Sequence, residues 1–332
     1  MRSAPAIVLY MKSDPSRNVV SIGLSAAIVS FIDERPCVLA VHHAGTPDAL
    51  PFGPFDPLGH RTLESGLRSW VREQTSLDLG YAEQLYTFGD RGRHLVRPGE
   101  GPRVVSVGYL ALTRASGGLG TPDTMWRDWY VYFPWEDWRS DRPAIIEAII
   151  APALRAFVGN ADSPVEAERR RTRARLSFGL DGSTWDEERV LERYELLYEA
   201  GLVEEARRDG RTAKVGCAAT LGASMLFDHR RILATAISRL RGKMKYRPVV
   251  FELMPPAFTL LDLQRTVEAI SGIRLHKQNF RRLVEEQGLV ERTGRFARIS
   301  RGRPAELFSF RREVLGERPA PGVRLGVRRS AI

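Results

Sequence analysis

The chain has 332 residues, 43% of them hydrophobic, and a formal net charge of +10. That length fits two domains of ~150 residues each, and the composition excludes wholesale disorder. No apolar run reaches the ~18 residues that span a bilayer, and the opening segment lacks a secretory apolar stretch and cleavage pattern, so the expected location is the cytoplasm, with no membrane partner.

In chain order, residues 1–160 read as an α/β unit. Asn18–Phe31 and Pro36–His42 are apolar, β-branched strands around the turn Asp33-Glu34-Arg35. Arg61–Gln74 repeats Leu63, Leu67, Trp70 and Val71 at helical spacing. Glu83–Phe88, Arg103–Arg114 and Trp126–Phe133 predict further strands, and Gly89–Pro102 and Ser116–Asp123 predict Gly/Pro-rich loops. Arg142–Val158 predicts an amphipathic helix that closes the unit. Cys37 and Cys217 show no CxxC spacing and are read as inert thiols. His42, His43 and His60 lack a further ligand at metal-binding spacing, so no metal site is expected.

Residues 161–227 predict a helical connecting region. The run Glu168–Arg175 reads as a solvated helix face, with an accessory phosphate contact as the alternative. Trp185–Ala200 predicts a helix ended by Gly201, and a second helix is expected from about Leu221 to Lys243.

The last third is chemically different. Residues 229–332 hold 23 Lys+Arg against 9 Asp+Glu, whereas residues 1–228 hold 27 against 31. A basic module on a slightly acidic body points to nucleic acid. Residues 228–315 predict a winged helix-turn-helix, and 316–332 a basic tail. The expected order is a short strand Val249–Leu253, a helix capped by Thr259 and running to Gly272, and a second helix from about His276 to Gln287. Phe280, Leu283 and Val284 turn inward on that second helix. Lys277, Gln278, Asn279, Arg281 and Arg282 are left for base edges and phosphates. Leu289–Arg292 and Leu307–Phe310 predict a hairpin whose tip, Arg295–Pro304, carries Arg295, Arg298, Arg301 and Arg303 for phosphate or minor groove. The plainer alternative is a small helical domain with a basic surface.

Residues Phe251–Arg312, with HKQNFRR at His276–Arg282 and GRPA at Gly302–Ala305 leading into Leu307-Phe308-Ser309-Phe310, resemble the C-terminal winged helix of NrtR, the Nudix-related regulators of NAD metabolism. Leu50–Leu112 resembles a Nudix domain, and the total length and degenerate box look like the NadQ branch. The resemblance implies an α+β protein, a Nudix-like α/β/α sandwich followed by a winged helix-turn-helix. It implies a homodimeric repressor of NAD biosynthesis or salvage genes on an inverted-repeat DNA operator. Its nucleotide effector would be NAD, ADP-ribose or ATP, with no catalytic cofactor. Aligned on Ser69–Gln74, the REUxEE box keeps only Glu73: Ser69 replaces the arginine, Trp70 the first glutamate and Gln74 the last, while Ser76 replaces the following glycine. A register starting at Arg68 rescues no more. One carboxylate cannot hold a divalent cation against a pyrophosphate, so no hydrolysis is expected. Phe88, Asp90, Arg91 and Arg93, with Glu73, are the expected effector contacts, arginine suiting phosphate by its bidentate fork. Phe88–Arg93 also reads as a simple Gly-rich turn. The competing function is an active Nudix hydrolase of ADP-ribose-type substrates with a nucleic-acid-binding tail; a third is an architectural binder.

Overall fold

The computed structural model describes residues 20–90, 103–114, 119, 121–211, 221–297, 304–317 and 322–323. A six-stranded mixed sheet forms the centre of the first unit. Strand β1 (Val20–Ile32) runs parallel to β5 (Arg103–Leu112) on one side. On its other side it pairs antiparallel with β2 (Arg35–Val41) and β3 (Phe52–Pro54). Strands β4 (Tyr81–Phe88) and β6 (Thr124–Asp128) complete the order β4-β5-β1-β2-β6. Both faces are covered, which is why β1 reads as a continuous apolar run. Leu24, Ala26 and Ile28 face helix α1 (Leu63–Thr75) through its Leu67 and Val71. Ala27 and Val29 belong to the larger core on the opposite face.

Three boundaries differ from expectation for local reasons. The strand expected to reach Phe133 stops at Asp128, whose side chain accepts the Tyr130 N–H and starts a 3₁₀ turn at Trp129–Val131. The helix expected over Arg142–Val158 opens as a π-helical turn at Ile146–Ile150 before α2 (Ala151–Gly159). Pro152 sits at that junction and has no N–H to continue an α-helical ladder. Residues 221–228 are not helical: Gly222 and Phe227 both take positive φ, and Leu226 N–H donates to the Asp48 carbonyl.

The connecting region is no linker. Helices α3 (Pro164–Phe178), α4 (Val190–Glu199) and α5 (Glu204–Arg208) bury Phe178, Tyr194, Leu197 and Ala206 in the same core as the sheet. The helix expected from Trp185 begins only at Val190: Trp185 packs tilted on Trp138, with ring centroids 4.3 Å apart, and Asp186 accepts the N–H groups of Glu188 and Arg189 in a turn. The arginine run lies on α3 and is paired within the protein: Arg169 and Arg170 with Glu166, Arg171 with Glu168, and Arg173 with Glu199.

Helix α6 (His229–Met244) is the long central element. Gly108 lets it approach the sheet, since a Cβ there would meet Ile232 at 3.1 Å and Phe88 at 3.0 Å. The C-terminal module follows as α7 (Leu260–Ser271), α8 (Lys277–Glu286), the hairpin β7 (Val290–Ala297) and β8 (Ala305–Phe310), and a short α9 (Val314–Glu317). The strand expected at Val249–Leu253 is a 3₁₀ turn burying Val249, Val250 and Phe251, and the chain pairs with β8 only at Phe258, past the double proline. Thr259 caps α7 in a reciprocal box with Asp262, and Gly272 ends it at φ +74.

A buried polar seam joins the two units. Glu136 accepts from Arg193 (Nε, 2.5 Å; Nη2, 2.8 Å) and from Arg241 (Nη1, 2.7 Å), and the exposures of all three are 0–1%. Arg241 also donates to the Ile270 carbonyl at the end of α7, and Trp138 N–H to that of Gly272. Burial pushes the Tyr130 hydroxyl up to about 12, so it stays protonated and donates to the Ala269 carbonyl at 2.7 Å. Among the described residues no helix is long and apolar enough to cross a membrane.

Candidate functional site

Helix α8 has two chemically distinct faces. Phe280 and Val284 are buried and Leu283 is half-buried, which fixes the orientation of the helix. Lys277, Gln278, Asn279, Arg281 and Arg282 are all exposed on the other side. Lys277 and Arg281 make no ion pair with a described residue, and Arg282 has only a loose contact to Glu286 at 3.9 Å. Their donors therefore remain available to an external acceptor. Beside them, β7 and β8 form an antiparallel wing whose register slips between Arg292 and Phe296, where Gly294 takes φ +71. Arg295 is exposed on β7 itself rather than at the tip, because the strands continue to Ala297 and Ala305. Phe296 is 61% exposed next to it, a feature that sequence periodicity did not single out. Arg298, Arg301 and Arg303 lie outside the described residues.

On α1, the positions that align with a metal-binding box have been turned to packing. Trp70 lies over Gly53, where an added Cβ would come within 2.3 Å of the indole, and its Nε1–H donates to the Pro54 carbonyl at 2.7 Å. Gln74 clamps the backbone of Phe52, accepting from its N–H at 3.2 Å and donating to its carbonyl at 2.6 Å. A carboxylate could not supply that donor. Glu73 is exposed and accepts from Ser69 Oγ at 3.1 Å. Ser76 caps the helix at φ +59, the left-handed conformation that favours the glycine it replaces. Among the described residues no cluster of three or more His, Cys, Asp or Glu could hold a metal.

On the opposite face of the sheet, a narrow cleft opens between β1, β5, β3 and the start of α6. Its floor carries Ser25 and Ser106, whose hydroxyls are 3.2 Å apart. Its walls are Phe52, Phe227 and His229, packed edge to face with centroids 5.0–5.5 Å apart. Phe227 has φ +51, a conformation costing a bulky residue about 1–3 kcal/mol that clusters at ligand clamps. His229 Nδ1 accepts from Leu50 N–H at 3.1 Å, which fixes the ring and leaves the proton on Nε2.

Comparison with known proteins fits this geometry. The NrtR DNA-binding winged helix domain matches residues 250–310. The C-terminal module is an NrtR-type DNA-binding winged helix. The ADPR responsive transcriptional repressor NtrR of Acinetobacter baylyi is 43% identical over 86 residues, which are 26% of this chain. The chain spans about a third (34%) of the length of that relative. Two crystal structures of Shewanella oneidensis NrtR, one complexed with a 27mer DNA, are each 20% identical. Each aligns with a TM-score of 0.50, over 88–89% of this chain and 95% of the other. They share the fold: a Nudix-like unit followed by the NrtR-type winged helix.

All five residues expected on α8 are exposed there, away from the buried Phe280 and Val284. The expected effector contacts do not converge in the same way. Phe88 is buried at 1% exposure under Arg231 and packs the core, so its ring is not presented to a ligand. Asp90 forms an ion pair with Arg231 on α6, and Glu73 lies on α1, across the sheet from the cleft. Arg91 and Arg93 lie outside the described residues. The cleft residues escaped sequence reasoning because Ser25, Phe52, Ser106, Phe227 and His229 come from four separate segments with no shared motif. Cys37, by contrast, is buried, which pushes its thiol up to about 12, and Cys217 lies outside the described residues.

Proposed function

We propose that this chain is a sequence-specific transcriptional repressor whose NrtR-type winged helix binds operator DNA and whose Nudix-like unit senses an adenine nucleotide without hydrolysing it. The exposed face of α8 supports this reading most directly: beside Glu285 and Glu286 it presents lysine, glutamine, asparagine and two arginines from a rigid helix. Arginine pairs bidentately with guanine and glutamine with adenine. The name of the Acinetobacter relative favours ADP-ribose as effector over NAD and ATP. The replacement of box carboxylates by Trp70 and Gln74 supports a sensor without turnover. A single winged helix covers too little DNA for tight specific binding, so the active species is a homodimer on an inverted repeat. Its targets are genes of NAD biosynthesis or salvage.

The test is a set of binding isotherms on promoter fragments of NAD-synthesis genes and on scrambled DNA, with and without ADP-ribose, NAD or ATP. The expected result is operator preference together with a shift in operator affinity of about 5–150-fold caused by one nucleotide. Equal affinity for both DNAs would sink the regulator reading. Magnesium-dependent hydrolysis of ADP-ribose to AMP and ribose 5-phosphate at an ordinary turnover of ~1–10³ s⁻¹ would sink the sensor-only reading.

A further inference from the structure

We propose that the cleft walled by Phe52, Phe227 and His229 receives the effector's planar purine ring, and that the ring enters by displacing the wall at the start of α6. The proposal rests on the nucleotide-sensor reading above and says where in that unit the base binds.

Three independent features meet at this cleft. The first is chemical. Aromatic rings stand beside small floor residues, and once those rings part the Ser25 and Ser106 hydroxyls can exchange hydrogen bonds with ring nitrogens and an exocyclic amine. Adenine is the part common to ADP-ribose, NAD and ATP, so a base slot serves any of them. The second is backbone strain. Phe227 is held in the left-handed region by neighbours on both sides: Leu226 N–H donates to the Asp48 carbonyl, and Asp228 is the N-cap position of α6. The Asp48 carboxylate is in turn fixed by His42 at 2.8 Å and Tyr132 at 2.6 Å. The third is the degenerate box. Gln74, standing where a catalytic carboxylate is expected, clamps both backbone atoms of Phe52 and so positions one wall.

The three rings touch one another, so a base can enter only if Phe227 and His229 give way. His229 is the first residue of α6, and Arg241 near the other end of the same helix grips Glu136 and the Ile270 carbonyl of the winged helix. An α-helix is a stiff rod, so movement of its first turn is carried to that grip. Occupancy of the slot is thereby linked to the placement of α7 and α8.

The experiment uses the full chain. Ser106→Leu fills the slot from the floor, and Phe227→Gly removes a wall while accepting the left-handed backbone, so loss of binding in the second variant is not a consequence of strain. Calorimetry with ADP-ribose is expected to show binding at least tenfold weaker in both variants. Ligand-free operator affinity should stay at the wild-type value, and the ADP-ribose effect on DNA should be lost. Photolabelling of the wild type with 8-azido-ADP-ribose should mark the peptide containing Phe227 and His229. If the wild type binds ADP-ribose and both variants bind it within twofold, or the label falls on residues 88–93 instead, the slot assignment is overturned and the regulator reading stands. If the wild type binds none of the three nucleotides, the sensor reading fails, and the slot with it.

Discussion

Helices α1 and α8 are built alike and used in opposite ways. Each lays one apolar stripe on a core, Leu67 and Val71 in the first, Phe280 and Val284 in the second. They differ in where the polar groups go. On α1 three of them are spent on the backbone of neighbouring segments: Trp70 bonds the Pro54 carbonyl, Gln74 both backbone atoms of Phe52, and Arg68 the carbonyls of Leu79 and Gly80. On α8 Lys277, Gln278, Asn279, Arg281 and Arg282 stay exposed. A helix whose donors are satisfied internally supports a scaffold; one whose donors are left over can recognise something else.

The largest test of this contrast lies at the seam between the two units. Glu136→Ala leaves Arg193 and Arg241 buried without their shared carboxylate, and denaturant unfolding should show a loss of about 3–5 kcal/mol. A loss under about 1 kcal/mol would mean that the seam is wet and the units are not locked. Next comes α1 itself. Trp70→Ala removes a half-buried indole and its bond to Pro54, so stability should fall by about 2–3 kcal/mol, below the range for full burial, while folded protein keeps its operator affinity. Lost DNA binding at full stability would make α1 a recognition element.

The mirror experiment is Arg282→Ala. It should leave the melting temperature nearly unchanged, within ~0.5 kcal/mol as for surface sites. It should cost about 1–3 kcal/mol on operator and much less on scrambled DNA. Arg295→Ala on the wing should weaken both DNAs alike and flatten the salt dependence by about one unit of slope. Equal losses on both DNAs for Arg282→Ala would remove α8 as the reading helix.

The smallest effect concerns pH. Burial acts to raise the Glu83 carboxyl, but hydrogen bonds from Lys243 and Tyr81 outweigh it and hold the group below its ordinary value. A depressed folded pKa gives stability that is present above the ordinary carboxylate range and lost as pH falls through the folded value. Solvent screens this partly exposed pair to under about 1 kcal/mol. Glu83→Gln should therefore flatten the acid limb of the stability curve slightly, and an unchanged limb would show that α6 is not tied to β4 through this pair.

Much of the recognition module was legible in the sequence because its information is local. Capping by Thr259, the i, i+3, i+4 spacing of Phe280, Leu283 and Val284, and Gly272 as terminator act within one or two helical turns. The 3₁₀ turn at Val249–Glu252 was missed because an apolar run as short as Val249–Phe251 reads the same as a strand until its hydrogen-bond partner is known.

By itself the sequence determined which face of α8 is polar, that residues 69–74 hold a single carboxylate, Glu73, and that the basic charge is concentrated in the last third. These follow from residue identity and helical period alone. Only the tertiary structure decided what Trp70 and Gln74 bond to, that α3, α4 and α5 bring Phe178, Tyr194, Leu197 and Ala206 into the same core as the sheet, and that Phe88 is buried while Phe227 and His229 line a cleft. Those outcomes depend on contacts between segments far apart in the chain, such as Gln74 with Phe52, Glu136 with Arg193 and Arg241, and Ser25 with Ser106. No local period encodes such contacts, because the partner's position is set by how the sheet and helices pack.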